Sequence, residues 1–161
     1  MDQGGGFSFS VFTKFNSSTL NEAAFEVVVD FSKVRSKSKW GVIPFRISDS
    51  GNIEVLMIST RRKNWSLPKG NLIKNLGPQR TALLEAYEEA GIDGKLQTKP
   101  ILCTIGRSHI YLFPMEVIKL YEAWPESSFR KRKWIKLHKA SCMLHRRGMR
   151  NAVKKLPYHR A

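Results

Sequence analysis

The stretch "GPQRTALLEAYEEAG", residues 77–91, constrains the fold more than any other part of the chain, because it has the grammar of one well-bounded helix. Pro78 suits a first-turn position, where its missing N–H is not needed, and Gly91 suits the left-handed residue that ends a helix. A helix is therefore expected from Pro78 to Ala90. Around it the pattern changes period. "KWGVIPFRIS" and "IEVLMIST" are strand-like runs separated by the turn-forming cluster "DSGN", which reads as a β-hairpin. "RRKNWSLPKGNL", interrupted by Pro68 and Gly70, is a loop or short strand. After the helix, "KLQTKPILCTIGR", "HIYLFPMEVIKLYEA" and "KRKWIKL" read as further strands, the second despite Pro114. "KASCMLHRRGMRNAVKKL" has helical spacing, with Met143, Leu144 and Val153 as core anchors. Strands, helix, strands, helix imply an α/β class, a mixed β-sheet sandwiched between α-helices.

Residues 1–34 differ from the rest. "DQGGGF" and "NSSTLN" surround one short apolar run, "FEVVVDF", and imply a flexible or loosely packed N-terminal extension. Residues 35–161 are the expected folded domain, and a hydrophobic fraction of 42% in 161 residues suffices for one core. No stretch reaches the length of a membrane span and no secretory signal is visible, so cytoplasmic residence without membrane insertion is the expectation. Cys103 and Cys142 lie far apart and outside any paired metal spacing, which favours buried free thiols over a disulfide or zinc site.

Charge is unevenly placed. The net charge is +15, and twelve Lys and Arg follow Glu126 with no further Asp or Glu, so this tail supplies +12 of it. Such asymmetry implies an anionic partner: nucleic acid, a polyphosphorylated small molecule or an acidic membrane surface, against the plain alternative of a solvated basic face. Against this background the expected helix crowds Glu85, Glu88 and Glu89 onto one face about 100° wide. Like charges at these spacings destabilise a helix, and two of them oppose the dipole at its C-terminal end. A hard divalent cation such as Mg²⁺, bound by clustered carboxylates together with phosphates and water, reverses that sign.

At this point the chain resembles the Nudix hydrolases, whose box runs Gly, five residues, Glu, seven residues, then Arg-Glu-hydrophobic-x-Glu-Glu-x-Gly-hydrophobic. Here the frame is Gly70, Leu76, Leu84, Glu85, Ala86, Tyr87, Glu88, Glu89, Ala90, Gly91 and Ile92, with no gap in the spacing. The resemblance implies that Glu85, Glu88 and Glu89 are catalytic and, with the Gly70 carbonyl, hold Mg²⁺, with Mn²⁺ as a substitute. Two positions depart from the family pattern: the first Glu of the box is Leu76 and its Arg, which in the family pairs with the acidic group, is Leu84. From residue 37 to 140 the order of motifs is similar to the branch that cleaves diphosphoinositol polyphosphates and diadenosine polyphosphates. By that resemblance Lys37, Lys39, Arg61, Arg107, His109, Arg130 and Arg132 contact a polyphosphate, and Lys69 adds charge beside them.

The function these readings imply is Mg²⁺-dependent hydrolysis of a phosphoanhydride in a dinucleoside polyphosphate or an inositol pyrophosphate. Glu116, Glu122 and Glu126 are further candidate bases, each with a surface charge as the simpler reading. Strand alternation lets either Arg130 with Arg132 or Lys131 with Lys133 face the cleft, and the resemblance favours the first pair. Trp65, Trp124 and Trp134 are candidates for base stacking or for packing. The alternative function is a catalytically weak fold relative that binds nucleotides or RNA through the basic tail, motivated by Leu76 and Leu84.

Overall fold

A computed structural model describes residues 38–156. The strand β1 (Lys39–Ile47) turns through residues 48–52, closed by the Gly51 N–H on the Ser48 carbonyl at 2.8 Å, into the antiparallel β2 (Ile53–Ser59). Two short strands follow, β3 (Trp65–Ser66) on β2 and β4 (Lys69–Asn71) on the start of β1. The helix α1 (Gly77–Ala90) leads to β5 (Ile92–Leu96), β6 (Ile101–Ile105) and the long β7 (Ser108–Leu120), which runs parallel to β1 and antiparallel to both β5 and β6. Finally β8 (Arg132–Lys136) pairs with β2, and α2 (Leu137–Met143) and α3 (Arg147–Val153) end the described chain.

The eight strands form one mixed sheet with helices on both faces, as the element order implied. The period of two explains the two layers. Trp40 and Val42 of β1, Leu56 and Ile58 of β2, and Phe113 and Met115 of β7 face α1. Their neighbours Ile43, Val55, Met57, Ile110 and Leu112 face α2 and α3. Along the buried stripe of α1 the residues are Thr81, Ala82, Ala86 and Ala90, small enough for the helix to lie close on the sheet. The apolar side chains of this layer come mostly from the strands.

The C-terminal segment departs from the single expected helix. Leu144 and Arg146 both take extended backbone angles, and the chain bends there into two short helices. The bend sets α3 against β6, where a Cβ on Gly148 would overlap the Thr104 carbonyl. Leu144 and Val153 are buried as expected, whereas Met143 is 40% exposed because it falls at the end of α2, facing outward. Cys103 is buried but Cys142 is exposed, which corrects the expectation for the second thiol. Residues 1–34 and Lys37 lie outside the described residues. Among the described residues no helix is long and apolar enough to cross a membrane.

Candidate active site

The acidic side of α1 faces the β3–β4 connection and the turn that precedes β8. Gly91 ends the helix in the left-handed region at φ 62°, its N–H bonding the Tyr87 carbonyl at 2.9 Å. This is the backbone role that the sequence assigned to it. A turn over residues 126–130 is tied to the same helix end by the Glu126 N–H, which donates to the Glu88 carbonyl at 3.2 Å, and is closed by the Arg130 N–H on the Glu126 carbonyl at 3.0 Å.

Glu89 is pinned. Its Oε2 accepts the backbone N–H of Lys69 at 2.8 Å, and its Oε1 accepts the guanidinium of Arg130. Arg130 donates a second time to Glu126 and a third time, at 3.0 Å, to the Ser59 carbonyl. All three of its nitrogens thus meet protein acceptors, and its side chain is only 13% exposed. Arg132 is committed in the same way. It donates to the carbonyls of Ala90 at 2.8 Å, Gly91 at 3.0 Å and Tyr121 at 2.7 Å, and its guanidinium lies 4.1 Å from the centre of the Trp124 ring. Arg130 and Arg132 do fall on one side, as alternation required, but they spend their donors on α1 and its surroundings. In this arrangement both arginines support the helix and its carboxylates.

Glu85 and Glu88 are different. Among the described residues neither side chain has a hydrogen-bond or ion-pair partner. Glu85 lies against the backbone of Gly70, so closely that a Cβ there would overlap its carboxylate. Burial first, then the charges of Glu89, Glu88 and Glu126, push the Glu85 carboxyl up to about 7, with Lys69 pulling the other way. Burial, Glu126 and Glu89 raise Glu88 as well. Burial also raises Glu89, while the Lys69 N–H and the cations of Lys69 and Arg130 draw it back. Burial lowers the Lys69 ammonium, helped by Lys39 and Arg130 and opposed chiefly by Glu89.

As the side chains stand, no three His, Cys, Asp or Glu among the described residues form a cage for a metal ion. The donor chemistry nevertheless fits a hard divalent cation. Mg²⁺ is commonly held by one or two carboxylates with water and substrate phosphate, and Glu85 and Glu88 are two unpartnered carboxylates one helical turn apart, beside a backbone with no side chain in the way. Glu89 keeps spare lone pairs but is oriented by Lys69 and Arg130.

The remaining expected substrate residues divide. Arg61 and Lys69 line one cavity of about 400 Å³ between the β2–β3 loop and the α2–α3 bend. Lys39 is exposed on β1 and close enough to Lys69 to depress its ammonium. Arg107 is exposed at the β6–β7 turn, and half-buried His109 pairs across from Thr104. Sequence reasoning gave Glu126 as a candidate base with a surface charge as the simpler reading, and assigned no functional role to His145 or Arg146. The Glu126 and Arg130 spacing of four residues was a usable signal for an ion pair, but nothing local to "HRRG" indicates what it packs beside. Trp134 lies under Arg46, 4.3 Å from the guanidinium, and Trp124 lies under Arg132, so both are packing residues.

No family model matches the chain. A curated relative from Arabidopsis thaliana, "Nudix hydrolase 21, chloroplastic", is 34% identical over 128 residues, covering 70% of this chain and 62% of that protein. "Diphosphoinositol polyphosphate phosphohydrolase 3-alpha" of Mus musculus is 36% identical over 96 residues, covering 54% of this chain and 57% of that protein. The chain thus spans about six-tenths of the length of these relatives. The solved structure of a C. elegans Ap4A hydrolase superposes with a TM-score of 0.59 at 18% identity, covering 75% of this chain and 96% of that one, which speaks for the fold. Sequence relatives, box spacing from Gly70 to Ile92 and a mixed sheet that sets the box helix on one face agree, and the chain is similar to the Nudix hydrolases in sequence and in fold.

Proposed function

We propose that the chain is a divalent-cation-dependent pyrophosphohydrolase that cleaves a phosphoanhydride in a dinucleoside polyphosphate or inositol pyrophosphate, in keeping with what the names of its relatives say of those proteins. The observation that carries this reading is the pair of unpartnered carboxylates, Glu85, which lies against Gly70, and Glu88, one helical turn away. They are the principal ligands for Mg²⁺, or Mn²⁺ in its place, with the Gly70 carbonyl and Glu89 completing the set. A cation bound there supplies positive charge to the phosphates and acidifies a water molecule. Glu85 takes the proton from the attacking water. Arg130 and the Lys69 N–H hold Glu89 in place, and Lys39, Arg61, Lys69, Arg107 and His109 receive the phosphates. Purified chain should release phosphate or nucleotide from one member of a phosphoanhydride panel in Mg²⁺. Glu85→Gln with Glu88→Gln should lower that rate by about 10²–10⁴; an unchanged rate refutes the assignment.

The absence of a carboxylate at Leu76 and of the box arginine at Leu84 favours a second reading, a weakly catalytic fold relative that binds nucleotides or RNA. It requires steeply salt-dependent RNA affinity without metal-dependent turnover. Cytoplasmic residence belongs to the leading proposal, and cell fractionation that recovers the chain with organelles counts against it.

A further inference from the structure

Phe129 is a large aromatic side chain with no place in either hydrophobic layer of the sheet, and it is 41% exposed. Two cations share its ring instead. The Arg61 guanidinium lies 5.0 Å from the ring centre and that of Arg130 lies 5.5 Å from it. The two arginines differ in their other contacts. Arg130 is fixed by Glu89, Glu126 and the Ser59 carbonyl. Arg61 is exposed and, among the described residues, has no hydrogen-bond or ion-pair partner. The backbone sets the ring firmly against both. The turn that carries Phe129 is tied to α1 by the Glu126 N–H on the Glu88 carbonyl, and the Phe129 N–H donates to the Glu126 carbonyl at 3.3 Å. The strand end that leads to Arg61 is fastened to the same segment, because the Lys131 N–H donates to the Ser59 hydroxyl at 2.8 Å and the Ser59 N–H to the Lys131 carbonyl at 2.8 Å.

A ring and a carboxylate orient a guanidinium in different ways. A carboxylate takes up its N–H donors and cancels its charge, whereas the negative face of a ring attracts the cation and leaves those donors free. Recognition of a phosphate needs both the charge and the donors. An exposed arginine that nothing holds also loses rotamer freedom when it binds, and a contact that restricts it beforehand removes part of that cost. We propose that Phe129 is a positioning residue: its ring holds the Arg61 guanidinium, donors free, beside the cavity that Arg61 and Lys69 line, and Arg130 keeps the same ring in register with Glu89. That Arg61 receives a reacting phosphate rests on the hydrolase reading; the hold of the ring on Arg61 does not. The exposed aromatic in "SSFRKRK" thereby acts through its neighbour, with no contact of its own to the reacting atoms.

The test is calorimetric titration of inorganic tripolyphosphate into the full chain in EDTA, where cation-dependent cleavage is stopped. Phe129→Leu should weaken binding about two- to fivefold, the range of one exposed cation–π contact, with the circular-dichroism spectrum unchanged, and Phe129→Trp should keep the wild-type affinity. Replacing Phe129 by mono-, di- and trifluorophenylalanine draws charge from the face of the ring with little change of shape. Affinity should fall stepwise along that series, a response that a merely structural ring would not give. In an Arg61→Ala chain none of these changes should have a further effect. A flat fluorine series, wild-type affinity in Phe129→Leu, or losses that add to that of Arg61→Ala overturn the proposal. With an anhydride that the chain cleaves in Mg²⁺, Phe129→Leu should raise KM by the same factor and leave kcat within about twofold. A fall in kcat at constant KM assigns the ring to Glu89 through Arg130 and overturns it too. Failures separate cleanly. A graded series with no anhydride cleaved in Mg²⁺ sinks the hydrolase reading alone, and cleavage with a flat series sinks the role of Phe129 alone.

Discussion

Replacing Arg130 by Met tests whether this arginine organises the site or serves the substrate. The side chains of Arg130 and Glu89 are 13% and 11% exposed, so their ion pair is largely out of water. Removing one partner of a buried pair costs about 3–5 kcal/mol, mostly because the other charge stays behind unpaired. Glu89 would keep the Lys69 N–H, and Glu126 is 30% exposed and can be solvated, which places the loss at the low end, about 3 kcal/mol. For a domain of this size each kcal/mol moves Tm by about 3–5 °C, so Arg130→Met should lower Tm by about 9–15 °C. The discriminating assay is a double-substitution cycle by thermal denaturation. Glu89→Gln in the Arg130→Met background should recover part of the loss, because it removes the orphaned charge. A Tm fall under 2 °C, or strictly additive losses, refutes the reasoning and returns Arg130 to the substrate.

Arg132→Ala should cost about 2–3 kcal/mol through its three carbonyl acceptors while leaving KM unchanged, by urea denaturation and steady-state kinetics; a raised KM with unchanged stability contradicts the supporting role. Gly70→Ala should displace the Glu85 carboxylate, a flexible end group, and so lower kcat with little change in the urea midpoint; wild-type kcat overturns that placement. The folded pKa of Glu85 lies at about 7, above its ordinary 4.5, so the folded state holds that proton more tightly. Stability from this group is therefore complete below pH 4.5 and lost as pH rises towards 7, and Glu85→Gln should flatten the slope of the urea midpoint between pH 5 and 7.5. An unchanged slope excludes Glu85 as its source. Cys142 alone should react quickly with a thiol reagent under native conditions, and fast reaction of Cys103 would contradict its burial.

The elements legible in the sequence were those whose signals are local. Pro78 and Gly91 bracketed α1 to within one residue, and the "DSGN" turn separated β1 from β2 because alternation and turn chemistry act over a few positions. The break at Leu144–Arg146 was not legible, since it depends on how closely Gly148 must approach Thr104 across the structure. The site divides in the same way. Spacing alone puts Glu85, Glu88 and Glu89 on one face, but which of them stays unpartnered is decided by Lys69 and Arg130, distant in the chain. Arg132 was a phosphate ligand by resemblance, and only the fold shows that carbonyls at the end of α1 take its donors.

The central claim is that Glu85 and Glu88 together hold a divalent cation. Electron paramagnetic resonance of Mn²⁺ titrated with the purified chain measures this without any substrate. The free Mn²⁺ signal should fall on adding wild-type protein and recover on adding Mg²⁺, and the affinity should be weaker by about tenfold or more with Glu85→Gln and Glu88→Gln. Equal affinity in the doubly substituted chain, or no loss of free Mn²⁺ with the wild type, would contradict it.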